Sequence, residues 1–282
     1  VSHFGSSNYS GWYATPGRML DCIKFADGTV WTKDDIDYKM HHLTGTEEND
    51  RLAAYDKADV VYYGRGGNDT LFGSEGNDKL YGDDGDDAIS GGEGNDLLVG
   101  GKGNDELNGY RGDDTYIFNK GDGSDTISEC DGTDTIQFSE GISPDDVDVR
   151  RVYKSSTGYG SYALELSLKG TSDKITVDSY FGYYSYNGLH KSPNSMIEKV
   201  AFADGVVWTQ DTINSKVHNI TGTEDGETIQ AFDDNAVTYY GLGGNDNLYG
   251  SKSNDKLYGG AGNDRITGGE GDDLIVGGIG DD

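Results

Sequence analysis

Residues 64–117 read GRGGNDTLF, GSEGNDKLY, GDDGDDAIS, GGEGNDLLV, GGKGNDELN and GYRGDDTYI, six nonapeptides in unbroken succession. Residues 241–282 repeat the pattern as GLGGNDNLY, GSKSNDKLY, GGAGNDRIT, GGEGDDLIV and a partial GGIGDD. Glycine holds position 1 and aspartate position 6 in all eleven copies, and glycine holds position 4 in ten, Ser253 being the exception. Position 8 is Leu or Ile wherever it is present, except at Tyr116. Each nonapeptide divides into a six-residue turn and a three-residue strand. Strand alternation sends the position-8 side chain inward and its two neighbours outward. Glycines at positions 1 and 4 permit positive φ and leave carbonyl oxygens uncovered by side chains.

Two nonapeptides complete one coil, so copies n and n+2 stack on one side. Their position-6 carboxylates are expected to face each other across one strand spacing, about 4.8 Å. Carboxylates that close repel unless a cation sits between them. Ca²⁺ suits the gap, being a hard ion that takes six to eight oxygens in flexible geometry, backbone carbonyls included. Mg²⁺ suits it less, because it demands a tighter octahedron and keeps its waters. The expected ligands are Asp69, Asp78, Asp87, Asp96, Asp105 and Asp114 in the first run, and Asp246, Asp255, Asp264, Asp273 and Asp282 in the second. Same-side pairing gives four sites in the first run and three in the second, about seven ions in all. Ser253 loses glycine's conformational freedom, which makes its site the weakest expected.

The spacing G-G-x-G-x-D-x-U-x resembles the haemolysin-type calcium-binding repeat of RTX proteins. That resemblance implies an all-β fold of two calcium-bound parallel β-rolls, with turn carbonyls completing each ion's shell. Gly67, Gly76, Gly85, Gly94, Gly103, Gly244, Gly262 and Gly271 are the carbonyl donors it implies. It also implies export by a type I secretion apparatus, an extracellular or cell-surface location, and folding driven by calcium outside the cell. The connecting segment, with GISPDDVDV (141–149), DKITVDSYF (173–181) and FADG (25–28 and 202–205), looks like the domain that often flanks such repeats.

A longer period encloses the short one. Residues 1–105 align without a gap onto residues 178–282, with 55 positions identical. The chain therefore holds about 1.6 copies of a 177-residue unit and is read as a piece of a longer tandem array. Four parts follow: residues 1–44, the end of a β-rich flanking domain; 45–117, the first roll; 118–221, a complete β-rich domain separating the rolls; and 222–282, the second roll. Degenerate nonamers at 45–53 and 54–62, mirrored at 222–230 and 231–239, have the look of N-terminal solenoid caps. Tyr110 and Tyr116 are expected to close the first roll with bulk. YALELSL (162–168) alternates as a strand, both FADG stretches carry an Asp-Gly hairpin signal, and TQDTINSKV (209–217) opens like a short helix.

Composition narrows the function. With 51 acidic against 22 basic residues, a net charge of −29 and a pI near 4.2, the chain repels nucleic acid and anionic lipid. Proline is scarce and glycine lacks a three-residue period, which excludes collagen, and no apolar run is long enough for a membrane helix. No secretory signal is seen at the start, and Cys22 and Cys130 are either bridged or free. Five histidines form no H-E-x-x-H, and neither G-x-S-x-G nor a P-loop occurs, so no enzyme activity is expected of this segment. His41-His42 reads as a solvated helix or strand end. The cluster Tyr180, Phe181, Tyr183, Tyr184 and Tyr186 is the one feature suited to a glycan or surface ligand, against a plain packing role. Three functions stay open: a calcium-folded structural module, an adhesive module, and an accessory module of an RTX enzyme.

Overall fold

A computed structural model describes residues 22–156, 159–181, 183–185, 188–190, 197–231 and 234–282. The nonapeptides wind into a parallel β-roll in which alternate strands belong to opposite sheets. One sheet runs His42–Thr44, Val61–Gly66, Lys79–Asp84, Leu97–Lys102, Thr115–Phe118, Asp134–Phe138 and Ile197–Ala201, all parallel, and ends on the antiparallel Val207–Thr209. The opposite sheet runs Arg51–Ala53, Thr70–Phe72, Ala88–Glu93, Glu106–Arg111, Ser124–Ser128 and Lys174–Val177, again parallel. The register Lys79↔Leu97 on one side and Thr70↔Ala88 on the other advances by two nonapeptides per coil.

Strand alternation produces the core directly. Leu71, Leu80, Ile89, Leu98, Leu107 and Tyr116 are each buried, forming the inner stack between the two sheets. The second roll repeats the arrangement with Asn219–Thr221, Thr238–Gly243, Lys256–Ala261 and Leu274–Ile279 on one side, and Thr228–Gln230, Asn247–Tyr249 and Arg265–Thr267 on the other. Leu248 and Leu257 are buried there, whereas Ile275, in the last strand, is 48% exposed. Leu98→Ala should cost about 2–5 kcal/mol, because it empties a fully enclosed site between rigid coils. Denaturant unfolding in saturating calcium reads this, with the half-buried Val99→Ala as the milder comparison.

Residues 118–221 are β-rich but do not stand apart from the first roll. Ser124–Ser128 pairs in parallel with Glu106–Arg111, and Asp134–Phe138 with Thr115–Phe118, so the segment adds further coils to both sheets. Tyr116 therefore does not close the roll. Its ring enters the core in the position-8 place, and it pairs back to Leu98 and forward to Ile136, so the coil beyond it is longer by two residues. Tyr110 lies on the surface instead. One more coil follows, Lys174–Val177 on one side and Ile197–Ala201 on the other. Between the coils the chain runs out into the antiparallel pair Val147–Ser156 and Tyr159–Leu168, which extends the sheet edge.

The local signals in the repeated flank behave as their chemistry dictates. Cys22–Lys24 pairs antiparallel with Val30–Thr32 through a turn in which Gly28 has φ +91°. The helix Lys33–His41 follows, with Thr32 and Asp35 forming a capping box: the Asp35 N–H donates to Thr32 Oγ1 at 3.2 Å and the Thr32 N–H to Asp35 Oδ2 at 2.8 Å. Its counterpart Gln210–His218 follows Val207–Thr209 in the same order. Both cysteines are free thiols. His41 corrects the expectation of a solvated end: it is buried, with Nε2 3.0 Å from Asp56 Oδ1, while His42 is exposed.

Candidate metal centre

The position-6 aspartates occupy the edge of each turn, two places before the inward strand residue. Asp69, Asp78, Asp87, Asp96, Asp105 and Asp114 are all buried, as are Asp246, Asp255 and Asp264. In the last two turns, Asp273 is half-buried and Asp282 exposed.

The carboxylates do not face one another as expected. Each instead turns one oxygen back along the roll. The Asp69 N–H donates to Asp87 Oδ1 at 2.7 Å, Asp78 to Asp96 at 2.8 Å, Asp87 to Asp105 at 2.8 Å, and Asp96 to Asp114 at 2.8 Å. The second roll repeats this from Asp246 to Asp264 at 2.9 Å, Asp255 to Asp273 at 3.0 Å, and Asp264 to Asp282 at 3.0 Å. A backbone donor thus satisfies half of each carboxylate. The other half is left over: Oδ2 of Asp69, Asp87, Asp96, Asp105, Asp114, Asp246 and Asp264 is buried without any hydrogen-bond partner. Asp78 and Asp255 differ because position 2 of their repeats, alone among the copies, lacks positive φ, and the N–H of Ser74 or Ser251 there donates to Oδ2 at 2.7 or 2.5 Å.

At position 1 the glycines have a different reason from the one their spacing suggested. Position 1 needs no positive φ. It is glycine because the aspartate of the same repeat folds Oδ2 onto it, so that a Cβ on Gly64 or Gly82 would overlap Asp69 or Asp87. Left-handed backbone occurs at position 2, as at Arg65 (φ +82°) and Tyr110 (φ +73°), and at position 4, as at Gly94 (φ +117°) and Gly103 (φ +146°). At position 4 the carbonyl of the coil before fills the space a Cβ would need. Gly67 faces Gly85 in this way, Gly76 faces Gly94, Gly85 faces Gly103, Gly94 faces Gly112, Gly103 faces Gly123, Gly244 faces Gly262 and Gly262 faces Gly280. Gly271 itself meets the Ser253 carbonyl of the coil before. Ser253 does not have positive φ, and neither does Gly76, its counterpart in the first run, so glycine's freedom is not called upon at this position.

An orphaned carboxylate oxygen in a dry interior disfavours its own charge. Burial first, and then neighbouring aspartates, push Asp87 up to about 6, Asp96 and Asp105 to about 7, and Asp114 to about 6. Backbone carbonyls and anionic carboxylates form an all-oxygen, hard donor set, and a hard divalent cation supplies the charge that the site lacks. The residues therefore fit Ca²⁺, which the orphaned Oδ2 atoms would hold.

Two buried aspartates escaped the sequence reading. Asp105 donates its N–H to Asp125 Oδ1 at 3.1 Å, and Asp114 to Asp134 Oδ1 at 2.9 Å, so the ladder runs on past the last nonapeptide. Burial and neighbouring carboxylates raise Asp125 to about 8 and Asp134 to about 7. Their signal was G-x-D-x-I, in GSDTI (123–127) and GTDTI (132–136), which keeps positions 4, 6 and 8 of the repeat. An eleven-residue step between Asp114 and Asp125 hides it from a search at period nine.

Roll, aspartate ladder and oxygen-only donor set together define a calcium-binding parallel β-roll. The family comparisons agree: the RTX calcium-binding nonapeptide repeat matches four times, at 63–98, 90–127, 240–275 and 250–282, and the haemolysin-type calcium binding protein related domain matches 164–212. The chain is accordingly a calcium-binding structural module of the RTX kind. No curated protein matches it. Among solved structures, the extracellular lipase LipA from Serratia marcescens aligns at 18% identity and a TM-score of 0.19, over 82% of this chain and 30% of the lipase. The chain thus spans under a third of that protein's length.

Proposed function

We propose that this module folds on binding calcium outside the cell, supports export through a type I secretion apparatus, and then serves as a rigid extracellular spacer without catalytic activity of its own. The observation that carries the proposal is the set of buried, partnerless Oδ2 atoms along both rolls. At low cytosolic calcium their mutual repulsion and desolvation keep the chain unfolded and suited to threading. At extracellular calcium the cations neutralise them and the coils close. About seven ions are expected, more if the Asp125 and Asp134 coils also bind. Location outside the cell agrees with the RTX repeats. No helix among the described residues is long and apolar enough to cross a membrane.

Far-UV circular dichroism during a calcium titration, repeated with magnesium, tests this reading. A disordered spectrum that turns to β in Ca²⁺ and not in Mg²⁺ is the expected result. A chain fully folded in EDTA would sink calcium-coupled folding.

An adhesive role is the second reading, and it has lost part of its support. Tyr180 and Phe181 are buried and pack edge to face at 4.8 Å, so they belong to the core. Tyr183 lies in the strand Tyr183–Ser185 with Tyr184, and Tyr186 lies outside the described residues. Glycan-array binding by the whole chain in calcium would favour adhesion, and a blank array would leave the spacer.

A further inference from the structure

Past the last nonapeptide, Asp114, Glu129 and Asp134 each bring a carboxylate oxygen within 4.8 Å of the other two, and all three are buried. Glu129 lies five residues before Asp134, the place that glycine holds in every nonapeptide. The group around it is anionic. Asp114 Oδ1 accepts the Asp96 N–H, while its Oδ2 has no partner. Asp134 Oδ1 accepts the Asp114 N–H at 2.9 Å. Glu129 accepts the Tyr116 hydroxyl through Oε1 and the Cys130 N–H at 3.2 Å through Oε2. The Tyr116 oxygen is in turn fixed by the Gly109 N–H at 2.7 Å.

These hydrogen bonds orient the carboxylates without neutralising them. Burial acts first against the charge of Glu129, followed by Asp134 and Asp114, both of its own sign. Three like charges in one dry pocket require protons or a cation. At the nonapeptide turns position 1 is glycine and offers no side chain, whereas here Glu129 supplies a third formal charge. Affinity for Ca²⁺ rises with the charge of the ligand set.

We infer that Asp114, Glu129 and Asp134 form a side-chain Ca²⁺ site of higher affinity than the glycine-turn sites, joining the last nonapeptide coil to the wider coil that follows. The inference rests on the calcium reading of the roll. The junction is where such a clamp is useful, because the coil lengthens between the Leu98↔Tyr116 and Tyr116↔Ile136 pairings and the repeating turn no longer dictates register.

Calorimetric calcium titration of the whole chain at pH 7.5 tests it, comparing wild type with Glu129→Gln and Glu129→Gly. The tightest step, about tenfold tighter than the rest, should vanish in both variants while the weaker steps keep their number. Survival of that step in Glu129→Gln overturns the site and leaves the glycine-turn sites standing. Absence of any calcium uptake by wild type overturns the calcium reading as a whole. Terbium luminescence gives a readout that does not depend on the Glu129 variants folding. Tyr116 is hydrogen-bonded to a ligand, so Tyr116→Phe should remove most of the sensitised emission of the first equivalent of Tb³⁺, and unchanged emission overturns the site.

Discussion

In EDTA, lowering the pH from 8 to 5 is expected to restore β-structure to a chain that is unfolded at pH 8. The groups responsible are Asp87 and Asp114 (about 6), Asp96, Asp105 and Asp134 (about 7) and Asp125 (about 8), all lifted by burial from a normal aspartate value of 3.8. A carboxyl with a raised pKa in the folded state favours folding when protonated. Its contribution is therefore fully present below about pH 4 and is lost as the pH rises through 6 to 8. Raising a pKa by one corresponds to about 1.4 kcal/mol, so three or four such groups match the net stability of an ordinary domain, about 5–15 kcal/mol. Protons and calcium answer the same deficit, and they compete. Both stabilise only the folded chain, so the calcium concentration at half-folding should fall as the pH falls from 8 to 6, while the folded sites themselves bind calcium more weakly. Circular dichroism in EDTA across the range checks the first claim. Identical spectra at pH 8 and 5 would show that something other than buried carboxylate charge limits folding.

Gly103→Val is expected to break the first roll where it stands. Gly103 has φ +146°, its N–H donates to Asp122 O at 2.8 Å, and a Cβ there would overlap the Gly85 carbonyl oxygen. Valine brings two penalties together: a left-handed backbone that a β-branched residue resists, and a clash with backbone that cannot swing aside. The coil carrying Asp105 would have to move off the coil carrying Asp87, which separates two rungs of the ladder. A loss of more than about 4 kcal/mol in saturating calcium is expected, at the severe end of single substitutions. Gly28→Ala is the control, since Gly28 has φ +91° with nothing within 4 Å of its Cβ position. It should cost about 1 kcal/mol, from the backbone alone. Denaturant midpoints of the two variants compare them, and similar midpoints would refute packing of the coils through position 4.

Much of the site was legible because it is periodic. A nine-residue repeat with aspartate at 6 and Leu or Ile at 8 leaves one way to bury the apolar residue and two edges on which alternate aspartates gather. Asp69, Asp87 and Asp105 stack on one edge and Asp78, Asp96 and Asp114 on the other, as the spacing requires. What the period could not convey is how each carboxylate is spent. The N–H of one aspartate meets the Oδ1 of the aspartate one coil later, and the single remaining oxygen is what calls for a cation. That division depends on side-chain direction in the closed coil. The reason for glycine at position 1 was hidden likewise, since the obstacle is the repeat's own aspartate folding back and not the backbone angle.

The sequence by itself determined the coil, its register of two nonapeptides, the inward stack and the places of the ladder aspartates, because all of these follow from neighbours within two nonapeptides. Where the first roll stops was decided only by the tertiary structure. Ser124–Ser128 pairs with Lys174–Val177, and Asp134–Phe138 with Ile197–Ala201, although the whole antiparallel excursion of Val147–Ser156 and Tyr159–Leu168 lies between the partners in the chain. Such pairings follow from which sheet edge is open and which apolar face needs covering, and no local period records either. Tyr116 shows the difference within one residue. As a break in the repeat it looked like an end, yet in the folded chain its ring fills the core place of a leucine and its hydroxyl meets Glu129.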